Sequence, residues 1–404
     1  MFQTVIDRIK YAFGPKPEAK AFTLTDPEAF QLFGIIGSGA GISIGPRSAM
    51  RVPAVACAVS LIAETSGSLP AKVYDRDTRE TLKSHPAYAL IHDEANPWTS
   101  AEALRVQVTT DALLHGHGYA LVVRNDAGAP LELHRLEPTA VQVESLPDGE
   151  PSYVVTFEDD KRRVPFQDIL HLSAFGGIAP IKLGHEAIAL ALAFENHIAK
   201  LFANGGKPGG ILKSDKALGD EAKTKLAASW TAAHGAGRSG GTAILDEGMS
   251  FETVTMTLTD AQFAENRLEQ IREIARVFRV PPTMLFELTR GTWSNTEEMA
   301  RQFLQVTLKP WLSSWAWAYA RCLLTPEERK RLYIEFVTDD LLTTTAAARA
   351  TAYGQYRAMG AMTANEVRGG LNLPPMAEGN ALQNPFTTTG SPPPPSQEEP
   401  ISNE

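Results

Sequence analysis

Three short runs have spacings from which chemistry could be built. His115-Gly116-His117 carries the H-x-H pattern that can set two imidazoles on one side of a strand for a metal ion. No Asp, Glu or Cys completes a ligand set nearby, so the run reads first as a turn between helix and strand. Gly37-Ser38-Gly39-Ala40-Gly41-Ile42 approaches a dinucleotide fingerprint, but Ile42 stands at the third glycine and no strand clearly precedes it. That run reads as a linker. Gly235-Ala236-Gly237-Arg238-Ser239-Gly240-Gly241-Thr242 is glycine-rich like a phosphate-binding loop, yet it lacks a Lys before Thr242 and leads into a strand pattern. His-Glu-x-x-His and Cys-x-x-Cys do not occur, and no pair of carboxylates stands out as general acid and base. The sequence offers no enzyme, no catalytic residue, no cofactor and no metal. A metal-dependent hydrolase using the His115/His117 region is the alternative from the catalytic class.

The elements that would hold such residues belong to a chain of 404 residues, enough for two or three domains or one composite fold. With 43% hydrophobic and 21% charged residues it can bury a core, which excludes a disordered protein, a collagen-like fibre and a disulfide scaffold. Cys57 and Cys322 both lie in apolar, helix-like runs and read as buried free thiols in a reducing compartment. No apolar run approaches the ~18 residues that span a bilayer; Ala187 to Phe194 is broken by Glu195. The first residues lack the basic-then-apolar order of a signal peptide. A soluble protein made in the cytoplasm, with no membrane partner, is expected. The net charge of −9 argues against a protein that grips duplex DNA, which needs a basic stripe to displace counterions. A DNA-binding adaptor is therefore a second alternative with the charge against it.

Along the chain, residues 1–50 read as a flexible arm containing a short amphipathic helix from Phe2 to Phe13, stopped by Gly14-Pro15-Lys16-Pro17. A helix is expected from Val52 to Thr65, a strand over Ala71 to Tyr74, and a helix from Thr99 to Leu114 capped by Thr99 or Ser100. Short strands follow at Tyr119–Val123, Leu131–Leu136, Val141–Val143, Tyr153–Phe157 and Ile169–Leu172, making the first 180 residues α+β. Glu186 to Phe202 is one strong helix closed by Asn204-Gly205-Gly206. Lys207 to Leu258 is a small insert with strands at Gly210–Leu212, Thr242–Leu245 and Phe251–Met256 and a helix from Asp220 to Ala233. A second long helix runs from Thr259 to Val280 and stops at Pro281-Pro282. A third runs from Asn295 to Leu324, kinked at Pro310, and a strand covers Tyr333–Val337. Helices at Ala346–Met359 and Asn365–Gly369 precede a proline-rich, acidic tail from Thr387 that reads as disordered.

Two helices that bracket an insert must run antiparallel if the insert's ends lie together, which makes the insert a knob on a stalk. On the second stalk helix Ala264, Leu268, Ile271, Ala275 and Phe278 share one face, and Glu265, Arg267, Glu269, Arg272, Glu273 and Arg276 cover the rest. Trp311 and Trp315 share a face of the third helix and Trp317 does not, which favours core packing over base stacking. The loop Glu287 to Asn295 joins two long helices at the stalk end away from the insert, and an exposed Trp293 on it would need a partner.

Several blocks then resemble the portal proteins of tailed bacteriophages and gene transfer agents of the HK97 type, over roughly Val52 to Pro375. They include Leu69-Pro70-Ala71-Lys72-Val73-Tyr74, His117-Gly118-Tyr119-Ala120, Asp168-Ile169-Leu170-His171 and Pro208-Gly209-Gly210-Ile211-Leu212. The two most diagnostic are Ile274-Ala275-Arg276-Val277-Phe278-Arg279-Val280-Pro281-Pro282-Thr283-Met284-Leu285 and Met362-Thr363-Ala364-Asn365-Glu366-Val367-Arg368 with Leu373-Pro374-Pro375. His117 departs from the family, which usually has Asn there.

The resemblance implies an α+β fold with named parts. These are a wing (51–184 and 296–338), two stem helices (185–206 and 259–286), a clip (207–258), a tunnel loop (287–295) and a helical crown (339–386). It implies a ring, usually of twelve subunits, at one capsid vertex, assembled in the host bacterial cytoplasm and carried in the virion. Double-stranded DNA would pass through it, driven by a separate large terminase, with the major capsid protein and head-to-tail adaptors as further partners. Thr289, Arg290, Gly291, Thr292, Trp293 and Ser294 would then line the channel, and Leu268, Ile271, Ala275 and Phe278 would pack the stem. An acidic wall suits a channel that lets phosphates slide past, with Arg290 as a transient contact.

Overall fold

The computed structural model describes residues 36–157, 160–203, 210–214, 219–221, 223–226, 228, 249–253, 260–287, 296–338, 346–371 and 373–382. The chain divides into two compact units, Met1–Val337 and Thr338–Glu404. Helices and small antiparallel sheets mix throughout the first, as the α+β expectation requires.

The first unit opens with a two-stranded hairpin, β1 (Ile36–Gly37) and β2 (Ser43–Ile44), and a one-turn helix, α1 (Pro46–Ala49). The expectation of an arm through residue 50 therefore fails from Ile36 onward. Ser38 Oγ donates to Ile42 O to close the turn, and the Gly39 amide donates to the Glu186 carboxylate.

Helix α2 (Pro53–Ser68) starts on Pro53, whose missing N–H costs nothing at a first turn, and buries Val55, Ala58, Val59, Ile62 and Ala63. It is followed by β3 (Ala71–Asp75), α3 (Pro86–His92), β4 (Glu94–Asn96) and β5 (Thr99–Ser100). The Ser100 side chain then accepts from the Ala103 amide to start α4 (Ala101–His115). Helices α2 and α4 approach closely because Gly67 faces the contact; a Cβ there would sit 2.5 Å from Val106 Cγ2. Arg105 on α4 is 2% exposed. Its Nε and Nη2 donate to Gly67 O and its Nη1 to Ile91 O, so one guanidinium closes the carbonyl ends of both α2 and α3.

The strands β6 (His117–Arg124), β7 (Pro130–Leu136), β8 (Val141–Ser145), β9 (Pro151–Phe157), β10 (Asp160–Val164) and β11 (Ile169–Ser173) make two three-stranded sheets, ordered β11-β6-β7 and β10-β9-β8. Both are antiparallel, with Ala120 opposite Leu170 and Val155 opposite Val141. Tyr119, Leu121, Leu136, Tyr153, Val155, Val164 and Ile169 form a core cluster between them.

A short α5 (Pro180–Leu183) leads into α6 (His185–Ala203). The insert that follows begins with β12 (Gly210–Ser214) and ends with β13 (Met249–Thr253), and residues 220–221 and 223–226 are helical. The strand expected at Thr242–Leu245 lies outside the described residues. Then come α7 (Asp260–Phe278), α8 (Thr296–Gln302), a π-helical turn over Phe303–Leu308 and α9 (Lys309–Leu323). The sequence placed the break of this third helix at Pro310, whereas the irregular turn precedes it. Pro310 has no N–H for the carbonyl four residues back, and the ladder absorbs the missing bond by widening: the Lys309 amide reaches Leu304 O, five residues back.

After α10 (Glu328–Arg331), β14 (Leu332–Phe336) returns to pair with β3, with Ile334 opposite Val73. In the second unit, α11 (Ala346–Ala358) and α12 (Ala364–Gly370) are described, α12 opened by a Thr363–Glu366 capping box.

Candidate functional site

Two helices and the strands between them carry the arrangement expected of a stalk. A Cβ on Gly184, just before α6, would lie 2.9 Å from Val277 Cγ2, near the end of α7. At the opposite ends Gly210 pairs with Thr253 through β12 and β13. Helices α6 and α7 therefore run antiparallel, and the two ends of the insert lie side by side. Ile188, Ala189 and Leu192 on α6 and Ile274, Ala275 and Phe278 on α7 are buried, while Leu268 and Ile271 are half-buried. Burial along α7 thus fades toward the insert.

The charged side of α7 neutralises itself. Arg272 pairs with Glu269 at 3.3 Å, and Arg276 pairs with Glu269 at 3.2 Å and with Glu273. Such exposed pairs contribute about 0.3–0.5 kcal/mol each, so the face is balanced in charge without being a strong clamp.

The proline stop after α7 was legible in the sequence, but the turn that makes the exit was not. Arg279 adopts a left-handed conformation with φ 58°, and the Val280 amide donates back to Ala275 O, a helix stop normally given to glycine. Arg279 also accepts a hydrogen bond at its carbonyl from Thr307 on the π-turn, and its guanidinium lies 5.2 Å from the Phe175 ring centroid. Pro282–Leu285 make a 3₁₀ turn, and Phe286 follows at φ 62° with 82% of its surface exposed. Glu287, expected at the start of the loop, is instead buried, with a carboxylate oxygen 3.4 Å from Arg272 Nη2. Its carboxylate fastens the base of the loop to α7. The six loop positions Thr289, Arg290, Gly291, Thr292, Trp293 and Ser294 lie outside the described residues.

The histidine run finds a different partner from the one its spacing suggested. His115 ends α4, and Gly116 takes the left-handed turn at φ 94° that leads into β6. His117 Nδ1 lies 2.9 Å from His171 Nε2, and His171 Nδ1 lies 2.9 Å from Tyr153 Oη. The Tyr119 ring covers His171 at 4.7 Å. Burial, then His117, then Arg321 push the His171 imidazole down to about 3. Burial lowers His115 and His117 as well, with Lys182 acting in the same direction on both. This is a neutral polar chain tying β6, β9 and β11 together. Among the described residues no group of three or more His, Cys, Asp or Glu could hold a metal ion. His171 was missed because its partnership depends on strand register, which local spacing does not encode.

Trp315 is fully buried, its Nε1 donating to Thr109 Oγ1 at 2.9 Å, while Trp317 is 64% exposed. Cys322 is buried and Cys57 half-buried, both as free thiols. Among the described residues no helix is long and apolar enough to cross a membrane.

Comparison with known proteins places these elements in a wider set. A family model described as phage portal protein matches residues 53–372. The portal protein of Enterobacteria phage HK97 is 30% identical over 352 residues, which are 84% of this chain and 82% of that protein. The crystal structure of an HK97 family phage portal protein from Corynebacterium diphtheriae has a TM-score of 0.58 at 16% identity, covering 74% of this chain and 96% of that one. A chain from the neck of a native GTA particle, computed with C12 symmetry, has a TM-score of 0.54 at 23% identity and covers 88% of this chain and all of its own. The two structures speak for the fold.

Proposed function

This chain belongs to the phage portal protein family, and from that premise we propose that copies of it close into a ring, of twelve subunits, at one vertex of a capsid. Double-stranded DNA enters and leaves through the central hole. In this reading residues 51–184 and 296–338 are the wing, 185–206 and 259–286, with α6 and α7, the stem, 207–258 the clip, 287–295 the tunnel loop and 339–386 the crown. The clip receives the large terminase during packaging and head-to-tail adaptors afterwards, and the wing meets the major capsid protein. Assembly takes place in the host bacterial cytoplasm and the ring stays in the virion. The role is structural and needs no cofactor.

The observation that carries this reading is the antiparallel α6–α7 pair with the two ends of its insert joined by β12 and β13. Side-by-side stalks of this kind can surround an opening, and a heterologous contact that closes on itself gives a ring. The net charge of −9 per copy keeps the polyphosphate from sticking to the wall. Electron microscopy of the purified protein is the direct test: annuli with a central hole are expected, and compact monomers without a hole overturn the proposal. For the loop, replacing residues 288–295 by Gly-Ser while keeping Glu287 leaves its pair with Arg272 intact. Rings should still form while packaged DNA falls, and normal DNA content in such particles would refute the channel role of Thr289, Arg290, Thr292 and Trp293.

A further inference from the structure

A cleft of about 260 Å³ opens where the loop between β11 and α5 meets the end of α7 and the start of α9. Leu113, Val277, Phe278 and Trp311 give it an apolar floor. Of the residues that line it Arg279 alone is charged, and Arg279 is exposed. The rim is apolar and faces water: Phe175 is 76% exposed, and Ile178 and Leu183 are exposed as well. Pro310 and Ser314 line the cleft, and the exposed Trp317 continues their i, i+4, i+7 stripe along α9. Phe175 and Trp317 alone leave on the order of 300 Å² of aromatic surface in water. With Ile178 and Leu183 the patch reaches the size that marks an interaction site.

A second apolar feature has the opposite shape. Phe286 is 82% exposed although its backbone is left-handed at φ 62°. That angle strains a bulky residue, and within its own copy the phenyl group gains no burial in return. Phe286 is not among the residues that line the cleft. Thr307 is, whereas the turn carrying Phe286 touches α8 further back, through Thr283 Oγ1 donating to Met299 Sδ. Eight residues separate Met299 from Thr307, roughly 12 Å of helix. Knob and hole are therefore offset within one copy.

We propose that Phe286 of one copy seats in this cleft on the next copy of the same chain. The inference rests on the subunit ring proposed above and names the two surfaces that neighbours share. A cavity of about 150 Å³ is enough to hold benzene, so the cleft admits a phenyl group with room for its backbone shoulder. The Arg279 guanidinium already lies 5.2 Å from the Phe175 ring centroid on one side. An incoming phenyl group takes its other face, and this cation–π contact strengthens as water leaves. The two left-handed residues then serve one contact: Arg279 stands at the hole, and Phe286 holds the knob outside its own copy. Because every copy offers both surfaces, the contact repeats head to tail and closes when the rotation between copies allows.

Two full-length variants test this. Glycine adopts φ 62° without strain, so Phe286→Gly should fold with an unchanged circular dichroism spectrum. The concentration at which half of its copies are assembled, read by sedimentation velocity, should nevertheless rise about tenfold or more. The second variant, Phe286→Cys with Ile178→Cys, is oxidised mildly at a concentration that assembles the parent. It should give a ladder of linked copies extending beyond the dimer on a non-reducing gel. Each single-cysteine variant, in the same Cys57 and Cys322 background, should not. No ladder, links that stop at the dimer, an equal ladder from a single variant, or Phe286→Gly assembling like the parent would each overturn the contact. Electron microscopy of the parent separates this from the reading it rests on. Annuli together with any of those results keep the ring and remove the contact; a ladder without annuli keeps the contact and removes the closed ring.

Discussion

Replacing Arg105 by Met removes a guanidinium that is 2% exposed and donates to the carbonyls of Gly67 and Ile91 at 2.6–3.1 Å. Met is unbranched and of similar reach but has no donor, so two helix ends lose their closure at once. Each charge-assisted bond contributes about 1.5–3 kcal/mol. Releasing the requirement to bury a cation returns part of this, leaving a net loss of about 2–4 kcal/mol. With a denaturant slope near 3 kcal/mol per molar urea, the unfolding midpoint should fall by about 1 M at constant slope. Urea titration followed by tryptophan fluorescence reads it. Arg105→Lys should fall between the two, because one ammonium cannot span carbonyls from two different helices. A midpoint shift for Arg105→Met corresponding to less than about 0.5 kcal/mol would refute the account of one side chain closing two helices.

Trp315→Phe deletes the indole bond to Thr109, which is itself fully buried, and leaves a small void; a loss of about 2–3 kcal/mol is expected in the same titration. Gly118→Ala places a Cβ 2.1 Å from Val108 O, so β6 must move off α4, with a cost of about 2–3 kcal/mol and a lower melting temperature. His171 gives a pH signature. Above about pH 6.5 the imidazole is neutral in both folded and unfolded chains, whereas burial holds the folded group down to about 3. As pH falls between those values only the unfolded chain takes up the proton, so stability drops by up to roughly 1.4 kcal/mol per pH unit. Stability measured from pH 7 to 4 should fall less steeply in His171→Asn, and identical slopes would show that the buried imidazole is not responsible.

Elements whose cause is local were legible in the sequence. Helices α2, α6 and α7 announce themselves through apolar periodicity and proline or glycine stops, and Ser100 was readable as a cap. The 36–44 hairpin was not, because its glycines look like linker and its closure depends on Glu186, 147 residues from Gly39. Strand β10 is short and polar, and α3, β4 and β5 are each too short, at two to seven residues, for a period to register. The left-handed Arg279 and Phe286 violate ordinary residue preference, which is why no pattern signals them; the bond from Thr307 to the Arg279 carbonyl and the Phe286 amide's bonds back into the 3₁₀ turn hold them instead. His117 shows the limit most clearly. Its spacing pointed to His115, and strand pairing gave it His171.

The pairing of β3 with β14 has a consequence for synthesis. Ala71 meets Phe336 at the end of the ladder, so the edge laid down early in translation waits for a strand more than two hundred residues downstream. A nascent chain that has already emerged through the stalk still lacks this clasp. Truncated products should be left with an open seam that cellular proteases can enter, and subunits become fit for incorporation only when nearly finished.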